Sequence, residues 1–251
     1  DPASPLDSDP PAADRDHQIH VLDYNEVGEV VYNDQGDYDD EPLLYVHEND
    51  VEEARRGDIN PEPLFVRANV GEVVNITVVN ESDFPVSIHP HFIGFDNTAT
   101  DSTPSIGYNT EQSVEPGNER TFRWYCDEEG AIYFHDHAVA AKEGMHGTFA
   151  GLIVEPEGSR HLDPYNGEEI DSGAQAIIEV PDGTDFREFG LHYSDYTQVK
   201  DREDDQYVNQ QYEYKQNLGL TSINNRNAPY FHREDEDPAY LHSSAVHGDP
   251  A

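Results

Sequence analysis

Short runs of β-branched and aromatic residues, closely spaced and punctuated by Gly, Pro and Asn, constrain this chain more than any other feature. Leu64-Phe65-Val66-Arg67-Ala68-Asn69 and Val73-Val74-Asn75-Ile76-Thr77-Val78-Val79-Asn80 alternate inward and outward positions on either side of Val70-Gly71-Glu72, so both predict strands. Residues 84–92, 121–125, 131–135 and 147–154 predict four more, the second of these following the Pro116-Gly117 turn. No long amphipathic helical pattern competes. Strands at such intervals predict an all-β fold, an antiparallel sandwich or barrel.

The flanks read differently. Residues 1–17, rich in Pro and Asp, predict a disordered acidic lead-in, with the β domain running over 18–160. Within it, 20–27 and Val30-Val31-Tyr32 predict a first hairpin ahead of an acidic loop at 34–41. Residues 161–185 predict a polar connector. The segment Phe186-Arg187-Glu188-Phe189-Gly190-Leu191-His192-Tyr193 predicts a new strand, and 194–251 is loop-like by composition. A stretch that long without structure of its own suits 186–251 as the start of an incomplete second domain.

Charge narrows the range of partners. There are 53 Asp and Glu against 14 Lys and Arg, a formal net charge of -39, and only Lys142, Lys200 and Lys215 among the lysines. Nucleic acid and anionic membrane surfaces are excluded as partners on that balance. With 15 Tyr and 10 Phe the chain is too aromatic to be wholly disordered, so the acids read as the solvated coat of a halophilic protein, including the runs at 34–41, 201–205 and 234–237. The single cysteine, Cys126, excludes internal disulfides and Cys-rich metal sites, and reads as a small, semi-buried side chain. No run approaches the length of a membrane-spanning helix. A secreted or cell-surface setting is the expectation, and the sequons at Asn75 and Asn80 would then permit glycosylation.

Two of the histidine pairs share one spacing, His89-Pro90-His91 and His135-Asp136-His137. On a strand, residues i and i+2 face the same side, so each pair aims two imidazoles at one face of a sheet. Four converging imidazoles without a nearby thiolate favour copper, then zinc. The plain alternative is a His-Pro-His turn and two surface histidines. Asp136 would face the opposite side of its strand, and solvent is the expected environment. Met145 and His146, flanked by Gly144 and Gly147, read as structural rather than ligating, and the remaining histidines as scattered.

Four stretches in order, 63–72, Ser87-Ile88-His89-Pro90-His91, Tyr133-Phe134-His135-Asp136-His137 and 146–156, resemble the amino-terminal cupredoxin domain of multicopper oxidases, of the laccase-like and ceruloplasmin-like branch. A weaker likeness continues through Phe186-Arg187-Glu188-Phe189, Ser222-Ile223-Asn224-Asn225-Arg226 and Val246-His247-Gly248-Asp249-Pro250. The resemblance implies a cupredoxin-like Greek-key β-sandwich. It implies His89 as a ligand of a type 2 copper, and His91, His135 and His137 as ligands of type 3 coppers. It also implies an oxidoreductase that takes electrons from a small phenolic or metal-ion substrate at a type 1 copper and reduces O2 to water at a trinuclear centre.

Two departures bear on this. The carboxy-terminal His-Cys-His motif is absent, so the type 1 copper and half the trinuclear ligands would come from a carboxy-terminal cupredoxin domain or a neighbouring subunit. Asp136 stands where a blue-copper cysteine would be, which argues against a type 1 site here. The competing readings are a copper-binding or structural cupredoxin module without turnover, and a zinc hydrolase or hydratase built on His-x-His plus a further His. The family resemblance outweighs the zinc reading.

Overall fold

The computed structural model describes residues 14–23, 30–31, 36–58, 64–95, 113–138, 146–197, 200–207 and 220–223. Two sheets face one another across an apolar core. The first has the order β4 (Leu43–His47), β1 (Asp14–Asp23), β6 (Val73–Asn80), β9 (Glu119–Tyr125) and β8 (Gly94–Phe95). The second has the order β5 (Leu64–Asn69), β11 (Phe149–Glu155), β10 (Gly130–His135) and β7 (His89–Pro90). Most neighbours are antiparallel, but β1 runs parallel to β6 and β5 parallel to β11. Parallel neighbours require crossovers rather than hairpins, and here they give the Greek-key sandwich expected of a cupredoxin-like fold.

Period-two patterning sets the core. Ile76 and Val78 of β6, Phe122 and Trp124 of β9, and Phe134 of β10 are wholly buried, each two residues from the next on its own strand where two are named. Trp124 and Phe134 meet across the sandwich with ring centroids 5.4 Å apart. The two runs about Val70-Gly71-Glu72 form both expected strands, yet they lie in different sheets. Gly71, with φ +86°, makes the corner between them and donates its N–H to the Cys126 carbonyl. Glu72 fixes the same corner by accepting the Asn69 N–H at 2.7 Å and the Arg15 guanidinium at 2.7 Å.

Several sequence expectations are corrected. Strand β1 begins at Asp14, inside the expected lead-in, because Asp14–Val21 ladder along β6; residues 1–13 lie outside the described residues. β1 forms no hairpin with Val30–Val31, which is β2 and pairs with β3 (Tyr38–Asp39). Over 84–92 only His89–Pro90 is a strand, with one isolated bridge from Val86 to Val114, since Pro85 and Pro90 remove ladder donors. The sequence pattern does not mark the all-buried β4 or the short helix α1 (Val51–Arg56); an apolar five-residue run has no polar alternation. The acidic loop at 34–41 is not all solvated, for Asp37 and Asp39 are buried.

The expected connector at 161–185 also carries strands. β12 (Arg160–Leu162), β13 (Gln175–Glu179) and β14 (Phe186–Phe189) form an antiparallel three-stranded sheet. The segment between β12 and β13 covers the open edge of β5: Arg67 N–H donates to the Asp171 carbonyl and Gly173 N–H to the Phe65 carbonyl. β15 (Tyr193–Thr197) and β16 (Leu220–Ile223) pair further on. Most of the expected second domain at 186–251, including 224–226 and 246–250, lies outside the described residues. No helix among the described residues is long and apolar enough to cross a membrane.

Candidate metal centre

β7 and β10 are antiparallel neighbours, and their register sets His89 directly opposite His135. Beyond the ladder the same alignment continues, with His91 N–H donating to the Tyr133 carbonyl at 2.9 Å. In such a pair, directly opposed side chains share a face and diagonal ones lie within reach of it. The four imidazoles therefore gather on one half-exposed face. Ring centroids stand 5.2 Å apart for His89 and His91, 5.7 Å for His89 and His135, and 4.6 Å for His89 and His137. His135 lies 5.2 Å from His91 and 5.5 Å from His137.

Hydrogen bonds assign one tautomer. His135 Nδ1 donates to the Asp136 carbonyl at 2.6 Å, which leaves its Nε2 as the lone-pair nitrogen, 3.0 Å from His91 Nε2. Burial pushes the His135 pKa down, and the neighbouring His91 and His137 add to this, which favours the neutral ring that ligates metals. Among the described residues, no group of three or more His, Cys, Asp or Glu is arranged to hold an ion alone. The donor set fits copper in kind: imidazoles only, one of them pinned through its second nitrogen. Tyr133, 44 % exposed and stacked on His135 at 5.1 Å, and Phe92, 92 % exposed beside His91, give the face an apolar rim.

Asp136 overturns the expectation of solvent. The face opposite the histidines is the core, and Asp136 is fully buried there. Its Oδ1 accepts the Ser87 N–H at 2.7 Å, the Ser87 hydroxyl at 3.2 Å and the Ala138 N–H at 3.3 Å. The signal was available in the sequence, since period two places the middle residue of His-x-His on the inward side of an inward-packed strand.

The other histidines sort out locally. His146 is buried, its Nδ1 2.8 Å from Asp39 Oδ1; Met145 lies outside the described residues. His161 bonds Asn69 Oδ1 at 3.0 Å, and His192 stacks on Phe65 at 4.4 Å. Cys126 is fully buried rather than semi-buried, with its thiol pushed up to about 12 by burial. Of the sequons, Asn80 is buried and donates to the Phe84 and Val114 carbonyls.

Fold and site together define a cupredoxin-like β-sandwich domain that carries four clustered histidines at one edge. Residues 60–159 match the multicopper oxidase family model. The chain is 29% identical over 130 residues to the multicopper oxidase MmcO of Mycobacterium tuberculosis, covering 51% of this chain and 22% of that protein. It is 30% identical over 128 residues to the ferroxidase HEPHL1 of Mus musculus, covering 45% of this chain and 11% of that protein. A solved multi-copper oxidase from Pseudomonas thermotolerans aligns at TM-score 0.46 and 17% identity, over 87% of this chain and 43% of that one. The likeness to multicopper oxidases is thus carried by residues 60–159, and the chain spans under a quarter of the length of these two curated relatives.

Proposed function

We propose that this chain is the amino-terminal part of a multicopper oxidase and supplies half the ligands of a trinuclear copper centre: His89 for the type 2 copper, and His91, His135 and His137 for the type 3 coppers. The observation that carries the reading is the convergence of both His-x-His pairs on one face, with the Nε2 atoms of His91 and His135 3.0 Å apart. Copper bound there would supply the reduction of O2 to water, with electrons drawn from a phenolic or metal-ion substrate at a type 1 copper outside this chain. The chain's own part is placement. His135 offers Nε2 because its Nδ1–H is held by the Asp136 carbonyl, and the face rimmed by Phe92 and Tyr133 is open to a second cupredoxin domain or a neighbouring subunit. An exported location and a high-salt setting belong to the same proposal, the latter supported by the charge of -39.

The test is a Cu(II) titration of the full chain followed by electron paramagnetic resonance. Weak binding with nitrogen donors and no intense thiolate band is expected, together with no oxidation of phenols. The double variant His89→Ala/His135→Ala should abolish that binding, whereas His161→Ala and His192→Ala should keep it. Unchanged binding in the double variant would move the site elsewhere. A downstream coding sequence with a His-Cys-His motif separates the oxidase from a copper-binding module without turnover.

A further inference from the structure

We infer that Asp136 and Ser87 are positioning residues for the histidine cluster: together they lock the two His-x-His segments in register from the core side. The inference rests on the copper reading for its purpose, but its geometry is independent of it.

The regular ladder between β7 and β10 is short, with only two registered pairs, Phe134 with Pro90 and His135 with His89. Pro90 donates no backbone hydrogen bond. So short a pairing fixes neither segment firmly, and a slip by one residue would turn every imidazole to the other face. Side chains supply the missing constraint. Asp136 Oδ1 takes the Ser87 N–H, the Ser87 hydroxyl and the Ala138 N–H. The Ser87 hydroxyl oxygen in turn accepts the His137 N–H at 2.8 Å, so the bond network runs from one motif into the other and back. The Ser87 carbonyl is held as well, by the Tyr45 hydroxyl at 2.8 Å from β4 in the opposite sheet. Every polar group of Ser87 is thereby fixed, two residues before His89.

The location of this tie matters to the ligands. Asp136 is flanked in sequence by His135 and His137, and Ser87 precedes His89. Both tying side chains are fully buried, where water does not compete for their hydrogen bonds. Groups that orient ligands from behind typically change metal affinity roughly 10–100-fold when removed. Asp136 would act on the cluster in that way, through backbone placement rather than by touching the metal.

Three variants of the full chain, Asp136→Asn, Asp136→Ala and Ser87→Ala, test this with two readouts. The first is the nitrogen-15 spectrum of the imidazoles without metal, and the second is Cu(II) affinity with its paramagnetic resonance spectrum. Asp136→Asn keeps an acceptor at Oδ1, so it should leave the His91 and His135 signals in place and the affinity within a fewfold of the parent. Asp136→Ala should shift those signals, leave His17 and His47 unmoved, and weaken Cu(II) binding about tenfold or more. Ser87→Ala should displace chiefly His137, and it decides the matter if Asp136→Ala does not fold. Parent-like imidazole signals in both alanine variants would overturn the inference, as would Asp136→Asn behaving like Asp136→Ala. A parent chain that binds no Cu(II) would sink the copper reading alone, because the metal-free imidazole signals still report the register.

Discussion

His17 Nδ1 and His47 Nε2 lie 3.2 Å apart in the interior, in a hydrogen-bonded chain that runs in one direction. Asn49 N–H donates to His47 Nδ1, so His47 Nε2–H donates to His17, whose Nε2–H donates to the Arg67 carbonyl at 3.1 Å. The chain joins β1 of one sheet to β5 of the other, and it holds no place for another proton.

Acid should therefore weaken the fold through this pair. Burial, followed by the neighbouring His47, lowers the His17 pKa from 6.5 to about 4. The unfolded chain takes up a proton below about 6.5 and the folded chain does not, so the contribution is full above that pH. It falls as pH drops and is lost on passing about 4, roughly 3 kcal/mol in all. Urea denaturation of the parent and His17→Gln at pH 7 and pH 4.5 measures it. Equal pH-dependent losses in both proteins would remove His17 as the cause.

Glu155 should act with the opposite sign. Arg67, wholly buried, grips Glu188 at 2.6 Å and donates twice to the Gly173 carbonyl, joining the sandwich to the β12–β14 sheet. Glu155 lies against Glu188, and burial followed by that neighbour raises its pKa. A raised acid favours the fold below its ordinary pKa and loses that contribution as pH rises through the folded value. With its pKa raised from 4.5 to about 8, Glu155→Gln should stabilise the chain at pH 9, where the parent's carboxylate is charged, and change little at pH 5. A variant no more stable than the parent at pH 9 would contradict this.

Two glycines with positive φ should respond differently to alanine. A Cβ on Gly147, at φ +115°, would stand 2.6 Å from the Leu43 carbonyl oxygen and 2.7 Å from a Leu44 methyl. Gly117, at φ +75°, would meet nothing within 4 Å. Gly117→Ala carries only backbone strain, about 1 kcal/mol. Gly147→Ala adds a clash between β4 and the approach to β11, for roughly 3 kcal/mol. Denaturation midpoints that fall equally would refute the close approach.

Salt should stabilise the folded chain. At a net charge of -39, self-repulsion is relieved as the screening length shrinks from about 10 Å at 0.1 M to about 3 Å at 1 M ionic strength. The melting temperature is expected to rise between those conditions. No change would remove the halophilic reading of the acidic coat.

The sequence by itself determined the local geometry. Period-two alternation marked β6, β9 and β10, and the i, i+2 spacing put each histidine pair on one face, because both depend only on the strand's own repeat. Tertiary structure decided what each face meets. The Val70-Gly71-Glu72 break could be a hairpin or a corner between sheets, and the parallel pairing of β1 with β6 made it a corner. Leu43–His47 lacked alternation because both its faces are covered. Asp136 and Asp39 read as solvated, and His17 as part of a disordered lead-in, yet each is buried with a partner from a distant segment: Ser87 at a separation of 49 residues, His146 at 107 and His47 at 30. A polar residue's environment depends on long-range partners that satisfy it, and no local pattern records where in the chain those partners lie.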